Sequence, residues 1–173
     1  VVTEDLHAVH ELAVRRHPGA PQFLLGHSMG SVLAREYAMH WSQELSGLIL
    51  SGTTPSMGRT GVPARETARA EAGLRGWDSP SRLVHALASY NRAFRPARTP
   101  FDWLSRDEAE VDAYVADPWC GFTCSNGLFA EIIEGQIRVH SRSHVALVGW
   151  ELPVLVVGGG ADPVCGNGRA VEE

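Results

Sequence analysis

The 173-residue sequence has few cysteines, no excess of basic residues and no long apolar run. Its three cysteines, Cys120, Cys124 and Cys165, cannot all pair, and no second pair of metal ligands accompanies the first two. We therefore interpret all three as reduced structural thiols. Because no signal-peptide pattern opens the sequence, we expect a cytoplasmic setting. The 15 basic and 20 acidic residues give a net charge of −5, which argues against a nucleic-acid partner. No stretch reaches the roughly 18 apolar residues of a membrane-spanning helix.

The composition, 44% hydrophobic and 20% charged, is that of an ordinary globular domain rather than a disordered chain. The sequence starts at Val1 without an initiator methionine, and residues 169–173 resemble the opening of a helix. Neither end has the polar, flexible character of a domain boundary. We therefore expect a piece of a longer protein.

Short apolar runs alternate with helical patterns at both ends of the sequence, which predicts an α/β protein with a parallel sheet. The runs are of the type that is buried in such sheets. We predict buried strands at residues 22–26, 45–51 and 153–157, and helices at 3–17 and 29–40.

The stretch from Thr54 to Glu151 is far longer than the roughly 30 residues of a whole βαβ unit, so we predict an inserted helical lid. The lid is assigned to residues 55–151, and the incomplete core to residues 1–54 and 152–173. Helices are predicted in the lid at 63–74, at 80–94 with Pro80 as first residue, at 106–115 with a capping box on Ser105, and at 128–148 with breaks at Gly135 and around Ser141.

The sequence Gly26-His27-Ser28-Met29-Gly30 matches G-x-S-x-G and lies between a predicted strand and a predicted helix. In a nucleophile elbow the serine occupies a strained turn, and the two glycines prevent side-chain collisions. We therefore predict that Ser28 is a nucleophile and that the Met29 N–H is an oxyanion donor. The alternative is the glycine-rich turn of a nucleotide-binding fold, which the missing G-x-G-x-x-G spacing disfavours.

A second candidate, Asp162, follows the third predicted strand. Because the carboxyl ends of parallel strands meet at one sheet edge, Asp162 and Ser28 are expected on the same edge. The order of serine before aspartate fits a triad in which Asp162 orients a histidine. The alternative is an ordinary aspartate in a turn before proline.

The third member of the triad is a histidine that should follow Asp162, yet all eight histidines precede it. We expect each of the eight to be structural or solvated, and His27 to pack beside the oxyanion region. His140 and His144 share a helical face without a convincing third ligand, so no metal site is predicted. The second oxyanion donor normally comes from an earlier loop, which would precede Val1. The histidines are His7, His10, His17, His27, His40, His85, His140 and His144.

Together these segments resemble the α/β-hydrolase fold, and more narrowly bacterial hydrolases of the lysophospholipase and monoacylglycerol lipase group, also described as serine aminopeptidase-like. The resemblance rests on residues 26–52, on the lid stretch 98–122 and on the acid turn 160–164. It implies a partial α/β-hydrolase fold, truncated at both ends, with a parallel sheet core and a large helical lid. By the same resemblance, Ser28 is the nucleophile, Asp162 the triad acid and Met29 an oxyanion donor.

The resemblance further implies hydrolysis of carboxylic esters, chiefly lipid monoacyl esters, through an acyl-enzyme and without a metal or organic cofactor. The partner is then a small-molecule ester or lipid, and the lid would contact membrane surfaces transiently. Two alternatives remain open: a catalytically inactive fragment and a lipid-binding module. The lid side chains expected to form an acyl-chain tunnel or lid core are Trp77, Leu83, Leu87, Phe94, Phe101, Trp103, Trp119, Phe122 and Phe129.

Overall fold

The structure, a computed structural model, describes residues 2–82 and 90–173. The helices are α1 (Val2–Arg16), α2 (Met29–Trp41), α3 (Gly61–Arg75), α4 (Glu108–Ala116), α5 (Asn126–Val139), α6 (Arg142–Val145) and α7 (Arg169–Glu172). The strands are β1 (Phe23–His27), β2 (Gly47–Ser51) and β3 (Val154–Val157). Short 3₁₀ helices cover Ser42–Glu44, Gly58–Thr60 and Tyr90–Phe94.

The three strands form one parallel sheet in the order β1-β2-β3. The register aligns Leu24 of β1 with Leu48 of β2, and Leu48 with Val154 of β3. Helix α2 connects β1 to β2, as parallel strands require a crossover. The predicted α/β class with a parallel sheet is therefore confirmed.

Burial differs among the strands. In β2, Leu48 and Leu50 are buried, as predicted. In β1 and β3 the prediction of burial was wrong, since Phe23 and Leu25 are 64% and 61% exposed and Leu155 is 55% exposed. These three side chains lie on the face opposite Leu48 and Leu50, which pack against α2, and β1 and β3 are also the edges of the described sheet.

Helix α2 covers one face of the sheet with small side chains. Ala34 and Ala38 pack against Leu48 and Leu50, and the partly buried Val156 of β3 joins this core. The alanines let the helix approach the strands closely, and each buried leucine contributes roughly 1.5–3 kcal/mol to folding. Helix α2 is thus fixed on the sheet, and so is the residue that immediately precedes the helix.

The chain forms two compact units, Val1–Gly61 with Glu134–Glu173, and Val62–Ile133. The first contains the sheet. The second is helical, and its buried apolar side chains include Ala68, Ala72 and Val111. The division into a hydrolase core and a functional lid over residues 55–151 stays a prediction.

Three details of the second unit and its last helix differ from the sequence predictions. No helix begins at Pro80, which instead forms an antiparallel bridge with Ser125. The cap of α4 is Asp107, whose carboxylate accepts a hydrogen bond from the Ala109 N–H, so the capping box on Ser105 was wrong. Helix α5 passes through Gly135 without a break and ends before Ser141, where a break was predicted.

The prediction of a helix over residues 80–94 falls partly outside the described residues. Positions 83–89, with Leu83, His85 and Leu87, are among those that the structure does not describe. Tyr90–Phe94 forms a 3₁₀ helix. Over the described ranges, no helix combines the length and apolar character that crossing a bilayer requires.

The end of α5 is joined to α2 by a polar network around Arg35. The Arg35 guanidinium donates to the Val139 carbonyl, 2.5 Å away, and contacts His140 Nε2 at 3.1 Å. His140 Nδ1 lies 2.8 Å from the Gln136 carbonyl and donates to it. Since Nε2 must then accept from Arg35, His140 is held as the neutral imidazole.

Burial, followed by the charge of Arg35, lowers the pKa of His140 from its ordinary value of 6.5. The unfolded chain therefore binds the proton more readily than the folded chain. We expect neutral His140 to make its full contribution to the free energy of unfolding above pH 6.5. Below pH 6.5 the free energy of unfolding should fall by at most about 1.4 kcal/mol per pH unit. Urea denaturation from pH 7.5 to 5.5 measures this change.

The contribution of His140 is isolated with the His140→Asn variant. This variant should lose the fall in the free energy of unfolding that is due to His140. The matched control, His17→Asn, replaces the exposed histidine that directly follows α1 and should leave the contribution of His140 in place. An equal effect of both variants would contradict the assignment.

Candidate active site

Ser28 lies at the junction of β1 and α2 in a strained backbone conformation. Its φ is 53° and its ψ is −121°, a region that side chains other than glycine rarely adopt. The turn is held by backbone hydrogen bonds: Ser28 donates to the Ser51 carbonyl at 2.9 Å, and Ser31 donates to the Ser28 carbonyl at 2.9 Å. This is the strand–turn–helix context that a nucleophile elbow requires.

The Ser31 side chain adds a second restraint on the turn. Its hydroxyl donates to the Ser28 carbonyl at 2.6 Å and lies 2.8 Å from the Thr53 hydroxyl. A hydroxyl has a single hydrogen, so Thr53 donates to Ser31 in this arrangement. Ser31 and Thr53 are both buried. Sequence analysis missed this pair because Thr53 lies after β2 and approaches Ser31 only through the sheet.

The Ser28 hydroxyl is not used to cap α2. Serine commonly caps helices by accepting a hydrogen bond from a backbone N–H of the first turn, but Ser28 makes no such bond. Its side chain is half-buried. Met29 is the first residue of α2, so its N–H is one of the amides without an intrahelical acceptor. The arrangement leaves both groups available at the positive end of the helix dipole.

The two glycines of the motif have different surroundings. A Cβ at Gly26 would lie 2.3 Å from the Gly30 carbonyl oxygen and 2.7 Å from Ala34 Cβ, so the strand and helix backbones meet there. A Cβ at Gly30 would meet no heavy atom within 4 Å among the described residues. The expected collision is therefore found at Gly26 and not at Gly30.

Asp162 lies in the loop that follows β3, and its carboxylate is oriented by the backbone. Asp162 Oδ1 accepts a hydrogen bond from the Val164 N–H at 2.8 Å. The Asp162 carbonyl accepts from the Asn167 N–H at 2.9 Å. Buried Cys165 donates its thiol hydrogen towards the Gly159 carbonyl at 3.2 Å, which closes the same loop from inside. All three cysteines are free, as predicted.

Gly52, at the end of β2, separates His27 from Asp162. Its φ is +55°, and a Cβ there would lie 3.2 Å from His27 Cε1 and 3.6 Å from Asp162 Oδ2. His27 itself is exposed, and its Nδ1 lies 3.1 Å from the Ser51 hydroxyl. The carboxylate and the residue preceding Ser28 are thus on the same edge of the sheet.

The register explains this proximity. His27 pairs with Ser51, and Ser51 pairs with Val157, so β1, β2 and β3 end level with one another. Strands β1 and β3 are therefore two strand spacings apart, roughly 9–10 Å. An imidazole with a hydrogen bond at each ring nitrogen spans most of such a gap. Ser28 and Asp162 follow these strands at the edge where open parallel sheets bind ligands.

In the second unit, two aromatic side chains of the predicted tunnel are largely exposed. Trp119 and Phe122 are 85% and 69% exposed. Phe101 and Trp103 are half-buried and contact Tyr114 and Tyr90, with ring centroids 5.0 Å apart in each pair. The half-buried rings therefore pack within this unit, whereas Trp119 and Phe122 face solvent.

One family of known proteins matches nearly the whole chain. The sequence model of the family described as serine aminopeptidase, S33, matches residues 1–172. The chain belongs to this family. The prediction of a serine aminopeptidase-like α/β hydrolase is thereby confirmed.

Two curated relatives detected by sequence similarity are named as lipases of monoacylglycerols. The monoacylglycerol lipase of Mycolicibacterium smegmatis is 28% identical over 176 residues, which covers 98% of this chain and 55% of that protein. The human monoglyceride lipase is 28% identical over 149 residues, which covers 86% of this chain and 44% of that protein. The chain spans about half the length of the curated relatives it matches.

Solved structures share the fold over nearly the whole chain. A thermostable carboxyl esterase from Bacillus coagulans, in complex with glycerol, superposes with a TM-score of 0.87 and 25% identity. The match covers 98% of this chain and 56% of the esterase. A soluble variant of the Saccharomyces cerevisiae monoglyceride lipase, in complex with a substrate analogue, has a TM-score of 0.68 at 19% identity, covering 99% and 54%. The α/β-hydrolase fold is therefore present, in part, in this chain.

Proposed function

We propose that this member of the serine aminopeptidase family hydrolyses carboxylic esters, with monoacylglycerols as the substrate class, through an acyl-enzyme on Ser28. The observation that carries the proposal is the Ser28 turn: a strained serine between strand and helix, whose hydroxyl is not used as a helix cap. The names of the relatives support the substrate class, since two of them are lipases of monoacylglycerols.

In the proposed reaction, the Ser28 hydroxyl attacks the ester carbonyl and the Met29 N–H stabilises the oxyanion. The Val164 N–H holds Asp162 Oδ1, so the carboxylate is fixed for a hydrogen bond to a histidine. That histidine takes the Ser28 proton and returns it to the departing alcohol. Water then cleaves the acyl-enzyme by the same route in reverse. We assign neither the histidine nor the second oxyanion donor to a residue of this chain, which spans about half the length of its curated relatives.

The exposed aromatic side chains of the second unit support the proposed contact with lipid surfaces. Trp119 and Phe122 present large apolar areas to solvent, and a site that takes substrate from a bilayer needs such anchors. We assign this surface to the lid predicted over residues 55–151. Its contact is transient, because two aromatic anchors bury too little apolar area for stable insertion.

The substrate class is tested with the protein expressed from its complete reading frame. We expect monoacylglycerol to be hydrolysed with a kcat/KM at least about tenfold above that of a triacylglycerol or an aminoacyl arylamide. The reason for this expectation is that two relatives are named as lipases of monoacylglycerols, whose substrate has one acyl chain and a small alcohol. Release of fatty acid and of arylamine measures the three rates.

Other outcomes of this assay identify the alternatives. Hydrolysis of the arylamide alone would contradict the ester proposal and indicate an aminopeptidase. Fatty-acid binding without turnover of any substrate would indicate a lipid-binding module. The absence of both turnover and binding would favour a catalytically inactive protein.

A further inference from the structure

A cluster of polar side chains lies on the outer helices of the sheet-containing unit, away from the Ser28 turn. His7 and His10 project from α1, Tyr37 from α2, and Glu44 from the 3₁₀ helix that follows α2. One nitrogen of each imidazole and one oxygen of the carboxylate lie within 4.8 Å of one another. The sequence signal is the spacing of His7 and His10 by three residues, which places both on one face of a helix.

The distances between the polar atoms of the cluster are similar to those between the ligand atoms of a single metal ion. Glu44 Oε2 lies 3.8 Å from His7 Nδ1 and 3.5 Å from His10 Nδ1. The Tyr37 hydroxyl lies 3.0 Å and 2.6 Å from the same two nitrogens. In a tetrahedral zinc site with bonds of about 2.0–2.1 Å, neighbouring ligand atoms are about 3.3 Å apart. The observed separations lie on both sides of this value.

We propose that His7, His10 and Glu44 bind a zinc ion, with the Tyr37 hydroxyl in the fourth position. Two imidazoles and one carboxylate form a ligand set that zinc uses in proteins. The Glu44 side chain is 39% exposed, so it can move the short distance that bonding requires. His7 and His10 are 21% and 11% exposed, which leaves them in fixed positions.

The His7 ring is held on two sides, by Trp41 and by Glu11. Trp41 stacks on the His7 ring, with centroids 4.3 Å apart and an interplanar angle of 10°. His7 Nε2 lies 3.9 Å from a Glu11 carboxylate oxygen, which is an ion-pair contact, while its Nδ1 faces Tyr37 and Glu44. A carboxylate behind the second ring nitrogen commonly orients such ligands and raises their basicity.

The electrostatic field at the cluster favours a cation. The Glu44 carboxylate lies within 3.8 Å of both imidazoles, and the Glu11 carboxylate lies 3.9 Å from His7. Two negative charges therefore lie next to the position that the metal would occupy. His10 is the weaker imidazole ligand, because its Nε2 is buried without a hydrogen-bond partner among the described residues. A metal-bound His10 would carry a hydrogen on that nitrogen.

The site is structural rather than catalytic. A catalytic zinc keeps one position open for water or substrate, whereas Tyr37 is 1% exposed and closes the fourth position. The ion would join α1 to α2 and to the following 3₁₀ helix. Zinc should therefore raise the thermal stability of the protein and leave its ester hydrolysis unchanged.

The test uses the untagged protein from its complete reading frame, stripped of metal and then titrated with Zn²⁺. We expect one equivalent of Zn²⁺ to bind and Tm to rise, and Co²⁺ in its place to show the intense visible absorption of a tetrahedral site. Glu44→Gln should weaken binding by more than about tenfold, since removal of a ligand costs at least as much as loss of a supporting contact. His17→Gln, which replaces the exposed histidine that directly follows α1, should bind as the wild type does.

Two results would overturn the proposal. The first is that the wild-type protein binds less than one equivalent of Zn²⁺, or that bound Co²⁺ shows the weak visible absorption of an octahedral site. The second is zinc affinity that Glu44→Gln leaves unchanged while near-ultraviolet circular dichroism shows a native fold. Either would leave the cluster as a hydrogen-bond network between helices.

Discussion

We expect the Ser28→Ala variant, in the protein expressed from its complete reading frame, to lose ester hydrolysis by at least about a thousandfold in kcat. The variant removes the atom that would form the acyl-enzyme. It leaves the Met29 N–H and the binding surface in place, so a small residual rate remains. Because the Ser28 hydroxyl is not the cap of α2, alanine removes no helix-capping hydrogen bond. Initial rates on a monoacylglycerol and urea denaturation of the same samples measure the two effects.

The matched control for Ser28→Ala is Ser143→Ala, which replaces an exposed serine in α6. It should leave both the rate and the stability unchanged. A Ser28→Ala variant that retains more than a tenth of the wild-type rate would contradict the assignment of the nucleophile. Loss of activity together with loss of the native fold would instead point to a structural role for the residue.

Gly26→Ala should destabilise the protein by about 3 kcal/mol or more and abolish its activity. The new Cβ would lie 2.3 Å from the Gly30 carbonyl oxygen, which belongs to a helix that the sheet core fixes in place. Neither backbone can move without separating α2 from β1. Equilibrium urea denaturation measures the loss of stability, and the ester assay measures the loss of activity.

Gly30→Ala is the control for Gly26→Ala, because it makes the same change in the same motif. A Cβ at position 30 meets no described atom within 4 Å, and alanine is favoured over glycine in a helix by up to about 1 kcal/mol. We expect its free energy of unfolding to stay within about 1 kcal/mol of the wild type. Equal destabilisation by both substitutions would contradict the assignment of the close approach to Gly26.

The Ser28 turn could be predicted from sequence because several local signals agree there. An apolar run, the G-x-S-x-G motif and a helical pattern follow one another without a gap. They leave one arrangement of the backbone, which the positive φ of Ser28 confirms. The position of Asp162 followed from the rule that parallel strands end at one edge of the sheet.

Features that depend on contacts between distant segments could not be predicted. The Ser31–Thr53 hydrogen bond requires the register of β1 and β2. Pro80 was expected to open a helix because Ser79-Pro80 fits a local rule, but its bridge to Ser125 is a long-range contact. The exposure of Phe23 likewise depends on which face of the sheet α2 covers and on which strands lie beside β1, and strand composition carries no such information.

The cluster of His7, His10 and Glu44 also depends on contacts between distant segments and could not be predicted. The sequence analysis expected both histidines to be structural or solvated. Tyr37 and Glu44 join them because α1 packs beside α2 and the chain then turns into a 3₁₀ helix. A metal-ligand set drawn from three elements has no sequence spacing by which it could be recognised.

The most direct test of Ser28 as nucleophile is mass spectrometry of the complete protein after reaction with a fluorophosphonate ester. We predict one adduct per chain, in the tryptic peptide of residues 17–35, with fragment ions that assign it to Ser28 rather than Ser31. A protein that hydrolyses esters while Ser28 stays unmodified, or while the adduct maps to another residue, would contradict the account.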